Sequence, residues 1–265
     1  MKNNQYNMTI INPAGNITAL VEGNFEPAKR QELNAVLMKK YPTVEQVGFY
    51  SLASSTPSLT MAGGEFCGNA TRSLAYLALN GEIGSIQIAA SGSTSPLSAG
   101  IRRPNTSFSQ MPIQKSFESV QQINPMMKLV TMEGISHLVI SIESKLPKSV
   151  IKEKGMELLS KYNLLQSQAA SGAIFVLKNQ NTLSIQPVIW VRDIKTLFYE
   201  SSCASGTTAV ALVESYSAKK SKNTYTISQP NDEKLVVRTI KNFREFTFAE
   251  IEGSTTIIER EVLSL

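Results

Sequence analysis

The sequence predicts an α+β fold of two similar lobes facing a shared cleft, and three observations carry that prediction. The chain has two cysteines, Cys67 and Cys203, and each follows a small-residue turn and opens a run with apolar residues at helical spacing. The order strand, helix, strands, cysteine turn, helix recurs in both halves at low identity, the mark of an internal repeat. The element count is strand-rich with one long helix inside each lobe, which fits α+β packing. A chain of 265 residues suits one large domain or two of roughly 130, and the duplication favours two. The expected division is residues 1–118 and 119–253, with a segment of about 254–265 returning to the first lobe.

Thr9 to Val21 reads as a strand broken by a tight Pro13-Ala14-Gly15-Asn16 turn, which can push the Asn16 amide into a cleft or simply close an Asx-type turn. Pro27 to Lys40 is a helix with proline suited to its first turn, Leu33, Val36 and Leu37 on the buried face, and Tyr41-Pro42 ending it. Val44 to Ser51 is a strand that carries Glu45 among apolar neighbours. Ser58 to Met61 leads into Met61-Ala-Gly-Gly-Glu-Phe-Cys67-Gly-Asn-Ala-Thr-Arg72, whose helix, with Ala70, Leu74, Leu77 and Ala78 in phase, stops near Asn80-Gly81. Ile83 to Ala90 and Leu97 to Arg103 alternate as strands around an SGSTSP turn, and Pro104 to Ser116 reads as polar and irregular.

In the second lobe, Gly134 to Ile142 is a strand, Lys145 to Tyr162 is helical, and Ala173 to Leu177 and Ser184 to Val191 are strands. Glu200-Ser-Ser-Cys203-Ala-Ser-Gly-Thr-Thr208 then repeats the cysteine turn before an amphipathic helix with Ala209, Leu212, Val213 and Tyr216 on one face. Thr224 to Ile227, Lys234 to Ile240, Phe246 to Ile251 and Thr255 to Ile258 supply the last strands.

The balance of 26 basic to 21 acidic residues is mild and shows no dense basic block, so nucleic acid is not an expected partner. No window approaches 18 apolar residues, and Met1 to Asn7 lacks the apolar stretch of a signal peptide; the expectation is a cytoplasmic protein, monomer or homodimer, without a membrane partner. Two distant cysteines are not a disulfide framework, and one histidine cannot build a His-rich metal site, so neither metal nor organic cofactor is expected.

A cysteine at a helix N-terminus meets unpaired backbone N–H groups and the positive end of the helix dipole, which favour thiolate and also hold carboxylates. If both helices point at one cleft, N–H groups near Gly68-Asn69 and Ala204-Ser205 can grip a substrate carboxylate while two sulfurs approach its α-carbon from opposite faces. One thiolate removes a proton and the opposite thiol returns one, which inverts the centre. The bland alternative is a pair of buried structural cysteines, which are common singly; two helix-opening cysteines behind matching turns make it less economical.

These features resemble the diaminopimelate epimerase-like superfamily of PLP-independent amino-acid racemases over nearly the whole chain, and histidine racemases, including those of opine-type metallophore pathways, within it. The matching text is Asn12-Pro-Ala-Gly-Asn16, Glu45-Gln-Val-Gly-Phe49, Glu65-Phe-Cys-Gly-Asn-Ala-Thr71, Gln186-Pro187, Glu200-Ser-Ser-Cys203 and Gln229-Pro230. The resemblance implies the superfamily fold, Cys67 and Cys203 as the acid and base, and Asn16, Glu45, Gly68, Asn69, Glu200, Ala204 and Ser205 as the substrate-binding set. His137 matches the histidine of a Gly-Asn-Pro-His element, but Ser136 replaces its asparagine, so both are read as supporting or structural. Ala204 replaces a usual glycine and is expected to crowd the carboxylate. Val191 to Tyr199 replaces a Glu-Arg-bearing run of diaminopimelate epimerases with apolar and aromatic residues, which argues for a substrate with a less charged side chain. Diaminopimelate epimerase and proline racemase remain alternatives within this chemistry; a small-molecule binding protein and a redox sensor bridging the two thiols remain alternatives outside it.

Overall fold

The computed structural model describes residues 5–180 and 182–264. Residues 1–4, part of the stretch read above as lacking an apolar leader, lie outside the described residues, as do 181 and 265. The first half runs β1 (Gln5–Asn12), β2 (Thr18–Glu22), α1 (Pro27–Lys40), β3 (Gln46–Ser51), β4 (Ser58–Met61), α2 (Gly68–Ala78), β5 (Gly84–Ala90), β6 (Leu97–Arg103) and β7 (Thr106–Gln110). A single 3-10 turn, Phe117–Ser119, leads to β8 (Val120–Asn124), β9 (Met127–Met132), β10 (Ile135–Ile142), α3 (Lys148–Lys161), β11 (Ala170–Asn179), β12 (Thr182–Val191) and β13 (Thr196–Tyr199). The rest is α4 (Ala204–Ser217), β14 (Lys222–Ser228), β15 (Lys234–Lys241), β16 (Phe246–Ser254) and β17 (Thr256–Ser264).

The two halves share one pattern of pairing. From β1 through β7, successive neighbours pair antiparallel, parallel, antiparallel, parallel, antiparallel and antiparallel. The series β9, β10, β11, β12, β14, β15, β16 repeats that order step for step, with β13 as an addition on β12. β7 and β16 join the halves antiparallel, Glu250 opposite Gln110 through Ser254 opposite Thr106. β17 crosses back to lie along β1, and β8 lies along β9 in the matching place. The fold is α+β with a curved mixed sheet.

Each half curls around one central helix, α2 or α4, and carries a second helix, α1 or α3, outside. One apolar core runs through both central helices, while α1 and α3 cover separate smaller clusters. This placement changes the expected burial. The amphipathic face read for the second cysteine helix is only part of what α4 hides: Ala204 through Leu212 are all buried, because strands surround the helix. Tyr216, assigned to the buried face, is 46% exposed at its end, and Val36 of α1 is 40% exposed.

The larger departure is β7, which occupies a stretch expected to be irregular. Its inward side chains are Ser107 and Ser109, both fully buried, so the alternation exists but is written in serine. Ser107 bonds the Thr255 hydroxyl, and the fully buried Arg72 guanidinium donates to Ser107, Thr255, the Gly253 and Ser254 carbonyls, the Pro13 carbonyl and Asn69 Oδ1. One cation thus satisfies acceptors from the first turn, the seam and the β16–β17 junction, which permits a polar strand in the interior.

Candidate active site

Cys67 and Cys203 are the N-caps of α2 and α4, in extended backbone of nearly equal angles, φ −134° and ψ 110° against φ −132° and ψ 106°. Each sulfur accepts a first-turn amide, Ala70 N at 3.4 Å and Gly206 N at 3.3 Å. Each cysteine carbonyl receives the first intrahelical bond, from Thr71 N and Thr207 N, both at 3.0 Å. The amides of Gly68, Asn69, Ala204 and Ser205 precede those bonds and have no intrahelical acceptor. The helices meet at their starts: a Cβ built on Gly68 would stand 3.1 Å from the Ala204 methyl. That methyl therefore packs on the opposing helix, at a contact where only one of the two matching positions has room for a side chain.

Both cysteines line one cleft, of about 600 Å³ counted to its open mouth. It contains nine of the eleven residues singled out from sequence: Asn16, Glu45, Cys67, Gly68, Asn69, Glu200, Cys203, Ala204 and Ser205. Asn16, in left-handed backbone at φ 43°, is presented by the β1–β2 turn. Its amide bonds Glu45 at 3.2 Å and accepts from Asn69 at 3.2 Å, and Asn69 also donates to the Ser202 carbonyl at 3.3 Å. Glu45 stands just ahead of β3 and accepts Ser201 N at 3.1 Å as well as the Ser201 hydroxyl. Asn16, Glu45 and Asn69 thus tie the first half to the turn that carries Cys203.

Ser136 and His137 do not line the cleft. Ser136 is hydrogen-bonded to Gln168 at 2.7 Å. His137 is wholly buried over Gly172 with neither ring nitrogen in a well-aligned hydrogen bond, and burial, opposed by the nearby Gly172 backbone, pulls its pKa down to about 3.

Three further residues escaped the sequence reading. Gln46 Oε1 accepts the Cys67 thiol at 3.1 Å, and Gln229 Oε1 accepts Cys203 N at 3.0 Å. Glu65 supplies a third carboxyl. The run Val191 to Tyr199, read above as apolar and aromatic, supplies Val191, Ile194 and Phe198 of an apolar wall, which Ile189 of β12 extends. Gln46, Gln229 and Glu65 all sit in the quoted blocks, Gln46 beside Glu45 and Glu65 two positions before Cys67, so membership of those blocks was the available signal. Among the described residues lining the cleft, none is Lys, Arg or His.

The electrostatics follow from burial. It pushes Glu65 up to about 7 and Glu200 up to about 8. It also pushes the Cys67 thiol up to about 12, against the opposing Ala70 N–H, and Cys203 upward with help from the nearby Glu200 carboxyl. The helix N-termini favour thiolate as expected, but in the protein alone desolvation outweighs them.

Residues 6–261 match the family model described as the histidine racemase CntK N-terminal domain. The chain belongs to this family. It is 35% identical over 237 residues to a histidine racemase of Fusobacterium nucleatum subsp. nucleatum, covering 83% of this chain and 84% of the relative. It is 24% identical over 266 residues to a histidine racemase of Staphylococcus aureus, covering 93% of each. Among solved structures, the hydroxyproline epimerase of Agrobacterium vitis superposes with a TM-score of 0.68 at 12% identity, over 98% of this chain and 93% of that one. A predicted epimerase of Pseudomonas aeruginosa superposes at 0.64 and 11% identity, over 97% and 99%. Both likenesses are of fold, to structures described as epimerases.

Proposed function

We propose that this chain is a cofactor-independent histidine racemase in which Cys67 and Cys203 form the proton-transfer pair. The observation that carries the reading is the pair of thiols capping two buried helices at one cleft, each beside first-turn amides that lack intrahelical acceptors. The substrate carboxylate accepts from amides of Gly68, Asn69, Ala204 and Ser205, which stabilise the charge that develops when the α-proton leaves. One sulfur takes that proton and the opposite thiol delivers another. A lining of three carboxyls without a cation suits a ligand with positive charge, and an ammonium group between Glu45 and Glu200 would draw the buried Glu200 toward its ionised form. The ammonium charge also favours thiolate, offsetting the burial that holds both thiols protonated.

Histidine as substrate is supported by the names of the relatives and by the apolar wall at Val191, Ile194 and Phe198, which suits a small ring better than a second amino-acid headgroup. The test is loss of optical rotation with L-histidine and with diaminopimelate, alongside α-proton exchange in heavy water. Histidine is expected to racemise faster; turnover of diaminopimelate alone would reject the substrate. Cys67→Ser and Cys203→Ser should each lower racemisation about a hundredfold or more, because a serine hydroxyl is a far weaker acid, while histidine still binds. Full activity in either variant would reject the two-thiol pair.

A further inference from the structure

Glu65 stands between the Gly63-Gly64 turn and Cys67, and the function proposed above gives it no task. It is 8% exposed, it lines the cleft, and its Oε2 is buried with no well-aligned hydrogen bond, the donors near the carboxyl being the Gly63 and Glu65 backbone N–H groups. Of the other two carboxyls, Glu45 accepts Asn16 and Ser201, and Glu200 stands beside the Cys203 thiol. A buried acceptor with no donor costs stability, so a ligand that supplies the donor recovers that loss on binding.

The surroundings of Oε2 indicate what kind of donor fits. A Cβ on Gly63 would stand 2.8 Å from Glu65 Oε2 and 2.5 Å from Val191 Cγ1, so the free oxygen and the start of the apolar wall lie close together beside one glycine. Ile194 and Phe198 continue that wall along the cleft. An apolar and aromatic surface with one unpaired carboxyl oxygen at its edge matches a flat ring that is apolar on its faces and carries N–H on its rim.

We propose that Glu65 reads the substrate's side chain, its free oxygen accepting the N–H of an imidazole ring packed on Val191, Ile194 and Phe198. The inference rests on the reading of the cleft as an amino-acid racemase site. It separates discrimination of the side chain, at Glu65, from capture of the α-carboxylate at the helix starts. The charged groups next to Glu65 are Asp193 and Arg30, with Glu200 across the cleft.

The experiment compares L-histidine with L-β-thienylalanine, a five-membered ring without N–H, in the wild type, Glu65→Leu and Glu65→Gln. In the wild type, histidine should be preferred. Glu65→Leu should cut the histidine-to-thienylalanine ratio of kcat/KM by about tenfold or more, mainly through KM for histidine, and Glu65→Gln, which keeps an acceptor, by less. Glu65→Leu should also be at least as stable as the wild type, because it removes an unpartnered buried acceptor. A merely structural role gives the reverse, lower stability with an unchanged ratio, and an unchanged ratio overturns the proposal.

Should neither variant fold, ring-labelled [15N]histidine bound to the wild type at pH 8 decides. A ring N–H protected from solvent exchange, with its nitrogen shifted from that of free histidine, supports the carboxyl partner, and ring nitrogens that match free histidine overturn it. A wild type that exchanges no α-proton of histidine refutes the racemase reading instead, which keeps the two failures distinct.

Discussion

His137 is the lone histidine of the chain, a residue type that invites a catalytic role, yet it lies in the interior with two unpartnered nitrogens. Its depressed pKa means that the folded state resists protonation. The unfolded chain binds that proton below about 6.5, so this contribution to stability is present above that pH and is lost as pH falls toward about 3. Replacement of both unpartnered atoms by apolar ones in His137→Leu should raise stability by about 1 kcal/mol at pH 7 and by more at pH 4.5, with racemisation unchanged. Urea midpoints at the two pH values, followed by the histidine assay, check it. Loss of activity with unchanged stability would instead give the histidine a functional role.

At the scale of elements, the site depends on how closely α2 and α4 approach. Gly68 and Ala204 are matching first residues of the two helices, and the contact between them accommodates one methyl. Gly68→Ala adds a second, which would stand 3.1 Å from Ala204 Cβ and 2.8 Å from Met111 Sδ, and should cost about 1–3 kcal/mol by overpacking. Adding Ala204→Gly should recover part of that loss. A thermal or urea double-mutant cycle therefore predicts a coupling of about 0.5 kcal/mol or more, and simple additivity would mean that the helices do not meet there. Histidine turnover should follow the same pattern, since the helix starts carry both sulfurs and the carboxylate-binding amides.

Across the whole molecule, Arg72 connects what the sheet keeps apart. It reaches the β1–β2 turn through Pro13, the seam through Ser107 and the β16–β17 junction through Gly253 to Thr255. It also fixes Asn69, whose amide bridges Asn16 and the Ser202 carbonyl beside Cys203. Arg72→Met removes the donors and leaves several buried acceptors unpaired, a loss of about 3–5 kcal/mol. The expected outcome is a large drop in melting temperature together with weaker histidine binding. A variant with wild-type stability would show that water or rearrangement satisfies those acceptors.

What the sequence determined by itself is local. The α1 boundaries, the two helix-opening cysteines and the strands with apolar alternation depend on proline, caps and residue periods within a few positions, and all are legible in the order of residues. Of the nine candidate residues that line the cleft, the seven in the Cys67 and Cys203 turns could be named because two turns of similar text announce the same backbone device twice. Asn16 and Glu45 came from other blocks and the family resemblance. Tertiary structure decided the rest. The β7 strand hides two serines, and Ser107 is satisfied by Arg72 and Thr255, from distant segments, while Ser109 bonds the Gln110 carbonyl. Glu65 looks like any polar residue after two glycines until β12 brings Val191 to its side and removes its water. Whether a polar side chain is solvated, bonded or left unpartnered depends on what the curved sheet places around it, and no period within the chain encodes those long-range neighbours.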